Sequence, residues 1–148
     1  MGKQADADLI LKLYDLRREK VMREARNWFF TFNPTSAAEY METLMSEQGA
    51  YARMVITYWD MAASLVNNGA IDEQMFTEAN AEHIVVFAKV EPFLEEMRTM
   101  FGNPNALANL EKLVMRRADA KEYLTALRER FKQFATMRAE AASKAQAG

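Results

Sequence analysis

Residues 50–68 constrain the fold more than any other stretch of the chain. On a helix, the polar side chains here recur at alternating steps of four and three and so form one narrow line: Arg53, Thr57, Asp60, Ser64 and Asn67. The other side chains between Tyr51 and Val66 are apolar or small. A helix with so wide an apolar arc needs neighbours on several sides. We therefore predict that residues 50–68 form the central helix of a helical bundle.

The residues that follow this segment predict where its helix ends. Asn67-Asn68-Gly69 is typical of a left-handed helix end, and Asp72 is a suitable capping residue for the next helix. Elsewhere Gly49 and Gly102 follow helix-like runs, and no stretch alternates with period two long enough to predict a strand. The pattern predicts an all-α, single-domain bundle of five to six mostly antiparallel helices.

The predicted elements follow from the apolar spacing and the capping signals. A first helix runs from Asp6 or Asp8 to Phe32, and a capping box at Ser36–Glu39 opens a second helix that ends near Glu47. Residues 81–101 form a helix kinked at Pro92, and Asn103-Pro104 caps the next one. The single domain covers 1–138, and the small, polar residues 139–148 are predicted to fray.

The last helix carries an apolar stripe that is a candidate surface for contact with a partner: Leu124, Leu127, Phe131 and Phe134. The heptad-like spacing is too short to predict a coiled coil, so we expect this stripe to dock on the bundle. Self-association would then use the apolar surface that remains. Arg17 and Arg18 of the basic first helix are further partner-surface candidates.

Composition and charge exclude several classes of protein. The chain has no cysteine, which excludes disulfides and fits a reducing cytosol, and its longest uncharged runs fall short of the ~20 residues that span a bilayer. The N-terminus MGKQADAD does not resemble a signal peptide, so we expect a soluble, cytoplasmic protein. Residues 1–26 have a net charge of +2, residues 27–111 of −9 and residues 112–148 of +5. This distribution predicts that the terminal helices lie against the central ones.

No residue pattern predicts catalysis, a metal site or a cofactor. His83 is the single histidine, which excludes the two-histidine metal motifs, and no glycine-rich phosphate loop or nucleophile elbow occurs. The basic residues are interrupted by acidic ones and the pI is about 5.5, so the chain lacks the basic surface that nucleic-acid binding needs. We therefore expect a non-enzymatic protein.

The polar line on the central helix leaves two alternatives open. In the first, which we favour, Asp60 faces solvent and contributes little to stability. In the second, the line is a buried seam in which Asp60 pairs with Arg53, Arg17 or Arg18, and removing one partner is costly. A small ligand could then bind between helices near Tyr58, Trp59 and the line from Arg53 through Thr57 to Asp60.

Three segments resemble a family of small bacterial helical domains of unknown function: LYDLRREKVMREAR, YWDMAASLVNNGAID and VFAKVEPFLEEMR. The resemblance covers roughly residues 13–98, and its middle segment combines an aromatic pair, a helix of small residues, a glycine stop and an acidic restart. It implies an all-helical domain and brings no activity, cofactor or site residue. Members often carry an N-terminal membrane segment, which this N-terminus does not show. Together the observations predict a protein-interaction or regulatory module, self-associating or bound to another protein, with small-ligand binding as the alternative.

Overall fold

The polypeptide consists of helices joined by short turns. The computed structural model describes residues 2–148, over which no strand occurs. The α-helices are α1 (Lys3–Leu16), α2 (Lys20–Thr31), α3 (Ala37–Leu44), α4 (Gly49–Asn67), α5 (Glu73–Ala79), α6 (Glu82–Val90), α7 (Leu94–Phe101), α8 (Ala108–Met115) and α9 (Ala120–Ala147). The all-α prediction is confirmed, but the chain forms more and shorter helices than the five or six predicted.

The central position of α4 is confirmed. This helix packs against α2, α3, α5, α6 and α8, and Trp59 at its middle is 0% exposed. Its buried side chains are Ala52, Val55, Ile56, Trp59, Ala62, Ala63 and Val66. The wide apolar arc therefore faces neighbours on several sides, as the sequence predicts.

The predicted end of α4 is also confirmed. The N–H of Ala70 donates to the carbonyl of Leu65 at 2.9 Å, and Gly69 has a φ of 80°. This is a Schellman motif, in which a left-handed residue lets the chain satisfy the last carbonyls of a helix. The side chain of Asp72 then accepts a hydrogen bond from the N–H of Met75 and caps α5.

The single helix predicted from Asp6 or Asp8 to Phe32 is wrong, because the chain breaks between α1 and α2. Glu19 is the reason: its carboxylate accepts hydrogen bonds from the N–H groups of Val21 and Met22 and caps α2. The break changes the register of the buried face. Leu13 and Met22 are buried, whereas Tyr14 and Val21, which would share the apolar face of one unbroken helix, are exposed.

The corner between α3 and α4 depends on a glycine. Ser36 caps α3 by accepting from the N–H of Glu39 at 3.1 Å, and the helix ends at Leu44. Gly49 is buried at the first turn of α4, where a Cβ atom would lie 2.0 Å from the carbonyl oxygen of Leu44. Only a residue without a side chain allows the two helices to meet this closely.

Two predictions about α6–α8 have different outcomes. Pro92 does interrupt the 81–101 helix, where a 3-10 turn at Glu91–Phe93 joins α6 to α7. The cap predicted at Asn103-Pro104 is wrong, since α8 begins only at Ala108. The residue before it, Leu107, is buried in the left-handed conformation with a φ of 58°, which is strained for a branched side chain.

The predicted contact between the terminal helices and the acidic middle is confirmed by ion pairs. Arg26 of α2 lies 2.9 Å from Glu82, and Arg128 of α9 lies 3.4 Å from Glu91. α9 packs on α6 and α8 through its first turns, where Leu124 is buried. From residue 132 onwards every side chain of α9 is exposed. Residues 139–147 continue this helix, and whether they fray in solution stays a prediction.

Candidate functional site

An open groove lies between α3, α4, α7 and the segment 103–107, with a volume of about 440 Å³. We call it the apolar groove. Its floor is apolar and consists of Tyr40, Leu44, Ile56, Met97 and Leu107, all of them buried. One edge is formed by three residues of the predicted polar line: Arg53, Thr57 and Asp60.

The floor of the groove is held by a buried sulfur contact. The hydroxyl of Tyr40 donates to the Sδ of Met97 at 3.3 Å, and the Tyr40 ring stacks on Phe93 with a centroid distance of 5.5 Å. Burial raises the pKa of Tyr40 well above its usual value, so this hydroxyl stays a donor at physiological pH. The floor is therefore preformed.

The rim of the groove exposes two large apolar side chains. Met45 is 75% exposed and Phe101 is 51% exposed, although their spacing matches the apolar faces of amphipathic helices. Both lie at or just beyond the end of a short helix, since α3 ends at Leu44 and α7 at Phe101. At these helix ends the two apolar side chains lie at the groove instead of in the core.

Asp60 caps α8 from outside that helix. Its Oδ1 accepts from the N–H of Leu110 at 2.9 Å, which is the bond a capping residue would normally supply. Leu107 occupies the capping position and has no acceptor side chain. The favoured alternative, an Asp60 that faces solvent, is wrong, because Asp60 is half-buried against α8. The second alternative is correct that Asp60 meets a donor on another helix, but the donor is a backbone N–H and not Arg53, Arg17 or Arg18.

Of the other residues in the polar line, some face solvent and some contact α8. Arg53 and Thr57 are exposed, and the Arg53 guanidinium donates to the carbonyl of Leu44 at 3.3 Å. Further along, the amide of Asn67 donates to the carbonyl of Asn109 at 3.0 Å. The line therefore starts as a solvated edge of the groove and ends as a seam against α8.

Tyr58 and Trp59 do not line the apolar groove. The hydroxyl of Tyr58 donates to the carbonyl of Leu13, and the Nε1 of Trp59 donates to a carboxylate oxygen of Glu82 at 3.2 Å. Burial raises the pKa of Tyr58 to about 12. Of the five predicted ligand residues, the structure brings together only Arg53, Thr57 and Asp60.

Arg17 contacts Trp59, and its guanidinium group is largely occupied by contacts within the chain. Its guanidinium donates to the Oδ1 of Asn80 at 3.1 Å and lies 5.5 Å from the centroid of the Trp59 ring. Arg18 is exposed and lies 5.8 Å from the Tyr14 ring. Arg18 is thus the more accessible of these two partner-surface candidates.

The single histidine lies in the core beside Trp59. His83 is 1% exposed, and its ring is 5.8 Å from Trp59 and 5.0 Å from Phe76. Its Nδ1 has no hydrogen-bond partner among the described residues. Burial lowers the pKa of His83 to about 4, because the charged imidazolium would be poorly solvated there.

A buried lysine that the sequence analysis did not single out connects α2 to α9. Lys89 is 5% exposed, and its ammonium donates to the carbonyls of Phe29 and Phe30 at 2.8 and 3.0 Å. It also lies 5.0 Å from the centroid of the Phe131 ring of α9. Burial lowers its pKa to about 8. The signal in the sequence is a lone lysine in the apolar run of α6, where a charge needs a specific partner.

The stripe on α9 docks at its beginning and becomes exposed towards its end. Leu124 is 1% exposed, Leu127 and Phe131 are half-buried, and Phe134 is 42% exposed. The Phe131 ring packs against Phe30 with a centroid distance of 5.7 Å. The docking that we expected for this stripe therefore holds for its first residues and not for Phe134.

Two further structural findings concern residues 2–148. Nowhere in this part of the chain do three or more His, Asp or Glu side chains come together as a metal site would require. Each helix described is also too short or too polar to cross a bilayer.

Comparison with known proteins places the chain in a family without assigning an activity. No curated protein and no solved structure matches it significantly. A family model described as a domain of unknown function (DUF4760) matches residues 4–117, which contain α1 to α8, the apolar groove and the Trp59 core. α9 lies outside the matched residues. The chain is therefore a member of the DUF4760 family, with one additional helix beyond the matched domain.

Proposed function

We propose that this chain is a non-enzymatic protein-interaction module whose apolar groove binds an amphipathic helix of a protein partner. One observation carries the proposal: a groove with an apolar floor opens to solvent between two exposed side chains, Met45 and Phe101. Helices bind such grooves through apolar residues spaced three and four apart. A methionine-containing surface also adapts to helices of different sequence.

The polar edge of the groove supports the orientation of such a helix. Arg53 carries five N–H donors and uses one nitrogen for Leu44, so it can also bind a carbonyl or carboxylate of the partner. Thr57 is exposed beside it. The floor would then supply affinity, and the edge would set the direction of the bound helix.

A titration with a synthetic amphipathic helix tests this proposal. The probe is a 16-residue peptide of leucine and lysine, titrated into the full chain while amide chemical shifts are recorded. We expect shifts at the groove residues, and we expect Met45→Gln/Phe101→Gln to abolish them. Met61→Gln is the matched control, because Met61 is 45% exposed on α4 and does not line the groove. Equal binding by both variants would contradict the proposal.

The second candidate function is binding of a small ligand in the same groove. The volume of about 440 Å³ favours it, since pockets for small molecules commonly measure ~300–1,000 Å³. A thermal-shift screen with a metabolite panel would detect such a ligand. Stabilisation that is lost in Ile56→Ala but kept in Met45→Gln/Phe101→Gln would favour the small ligand, because Ile56 lies on the floor and the other two on the rim.

The wider setting of this module stays a prediction. A cytoplasmic, bacterial protein that associates with itself or with another protein is consistent with the absence of cysteine and with the family resemblance. Light scattering of the full chain at high micromolar concentration measures the self-association. A strict monomer would remove that part of the proposal.

A further inference from the structure

We infer that the groove is filled by the exposed end of α9 from a second copy of the chain. We call residues 132–147 the α9 arm. This inference rests on the proposed function, because it names the helix that the groove binds. It is carried by the exposure of the arm, by the pattern of its apolar face and by its charge.

The arm is a continuous helix that is exposed apart from the contacts of Phe134 with Phe131 and of Arg138 with Phe30. All its side chains are exposed, including Phe134 at 42% and Met137 at 61%. Its 16 residues extend over about 24 Å at the rise of an α-helix. Because the arm continues the docked part of α9, its helix needs no separate nucleation step.

The apolar residues of the arm lie on one face. Phe134, Met137, Ala141 and Ala145 follow each other at steps of three and four. The two large side chains can enter the groove between Met45 and Phe101, and the alanines allow the rest of the arm to approach the rim closely. Large apolar anchors in a pocket usually carry most of the binding energy of an interface.

Charge favours the groove over a second arm as the binding partner. The arm has three basic residues and one acidic residue, a net charge of +2. The charged residues that line the groove are Arg53 and Asp60, which cancel, and residues 27–111, which contain the groove, have a net charge of −9. An arm paired with another arm brings like charges together, whereas an arm in the groove lies on the acidic part of the chain.

The arm cannot fill the groove of its own chain while α9 stays intact. α9 is one continuous helix docked at Leu124, and its Arg138 lies 5.5 Å from the Phe30 ring at the end of α2. Folding the arm back would break the helix. Reciprocal exchange between two copies fills both grooves and closes a symmetric dimer.

A complementation experiment with full-length chains tests the inference. The arm variant is Phe134→Gln/Met137→Gln, the groove variant is Met45→Gln/Phe101→Gln, and Met61→Gln is the control. Each changes only exposed side chains, and circular dichroism verifies folding. By sedimentation equilibrium we expect the wild type and the control to dimerise, and each double variant to dimerise about tenfold more weakly or not at all.

Mixing the two double variants gives the decisive result. One intact arm and one intact groove remain, so we expect a mixed dimer that is weaker than the wild type and stronger than either variant alone. A dimer that survives the arm variant, or variants that do not complement each other, would overturn the inference. A monomeric wild type that still binds the leucine–lysine peptide in its groove would overturn the inference and retain the proposed function. A groove that binds neither the arm nor the peptide would overturn both.

Discussion

The two longest helices, α4 and α9, differ in how much of their surface is buried by the rest of the chain. α4 packs against five other helices, and its Trp59 is 0% exposed. α9 packs mainly on α6 and α8, and its Phe134 is 42% exposed. The difference lies in the width of the apolar surface. A wide arc needs neighbours on several sides, whereas a narrow stripe docks where a neighbour exists and is exposed beyond it.

The largest expected effect compares the two aromatic residues. Trp59→Ala should lower the free energy of unfolding by about 3–5 kcal/mol, because it leaves a cavity in the core and removes the Nε1 donor from Glu82. Phe134→Ala is the matched control and should cost less than about 1 kcal/mol. Denaturant unfolding measures both. Similar losses for the two variants would refute the distinction between a core helix and an arm.

Acid should destabilise the α4 core through His83, which contacts Trp59. The pKa of His83 is about 4 in the folded chain and ordinarily 6.5, so between these pH values the unfolded chain binds more protons. The free energy of unfolding should therefore fall as pH drops from 6.5 to 4, by about 3 kcal/mol in total for this residue. His83→Gln should flatten that part of the curve of stability against pH. A variant with an unchanged curve would show that the histidine is solvated.

The cap that α4 provides for α8 should have an intermediate effect. Asp60→Ala should cost about 0.5–2 kcal/mol, because the N–H of Leu110 loses its acceptor at the start of α8. Arg53→Met should add to it without coupling, since Arg53 bonds a different partner, the carbonyl of Leu44. Chemical unfolding of the two single variants and the double variant decides this. A strong coupling energy would mean that Arg53 and Asp60 do pair in solution.

Removal of the arm should have the smallest effect on the folded domain. Deleting residues 135–148 should change the free energy of unfolding by less than about 0.5 kcal/mol, because every deleted side chain is exposed. The measurement uses low protein concentration, where self-association does not add to stability. Deletion from residue 120 is the contrasting control and should be far more costly, because it removes the buried Leu124. A costly short deletion would show that the arm packs on its own chain.

The sequence predicted the features that depend on local pattern. The centrality of α4, its glycine stop and the cap at Asp72 all follow from residues close together in the chain. The break at Glu19 was missed because a glutamate inside an amphipathic run also fits an ordinary helical ion pair with Arg23. The structure shows that its carboxylate instead accepts from the backbone N–H groups of Val21 and Met22.

Local sequence patterns do not predict the groove. Its rim forms at the ends of α3 and α7, where Met45 and Phe101 are exposed although their helices are amphipathic. The partner of Asp60 lies 50 residues away, at the start of α8. Three of the five predicted ligand residues still line the groove, because the polar line on α4 correctly marked a boundary of the apolar arc.

The position of Lys89 couples the attachment of α9 to proton binding. Phe131 of α9 lies over the ammonium group, and burial lowers the pKa of Lys89 to about 8 from an ordinary 10.5. If α9 detaches, water reaches this group and its pKa returns towards the ordinary value. Detachment at pH 8–10.5 therefore takes up a proton, so raising the pH favours the attached helix. We therefore expect alkaline conditions to strengthen the attachment of α9 to the family domain.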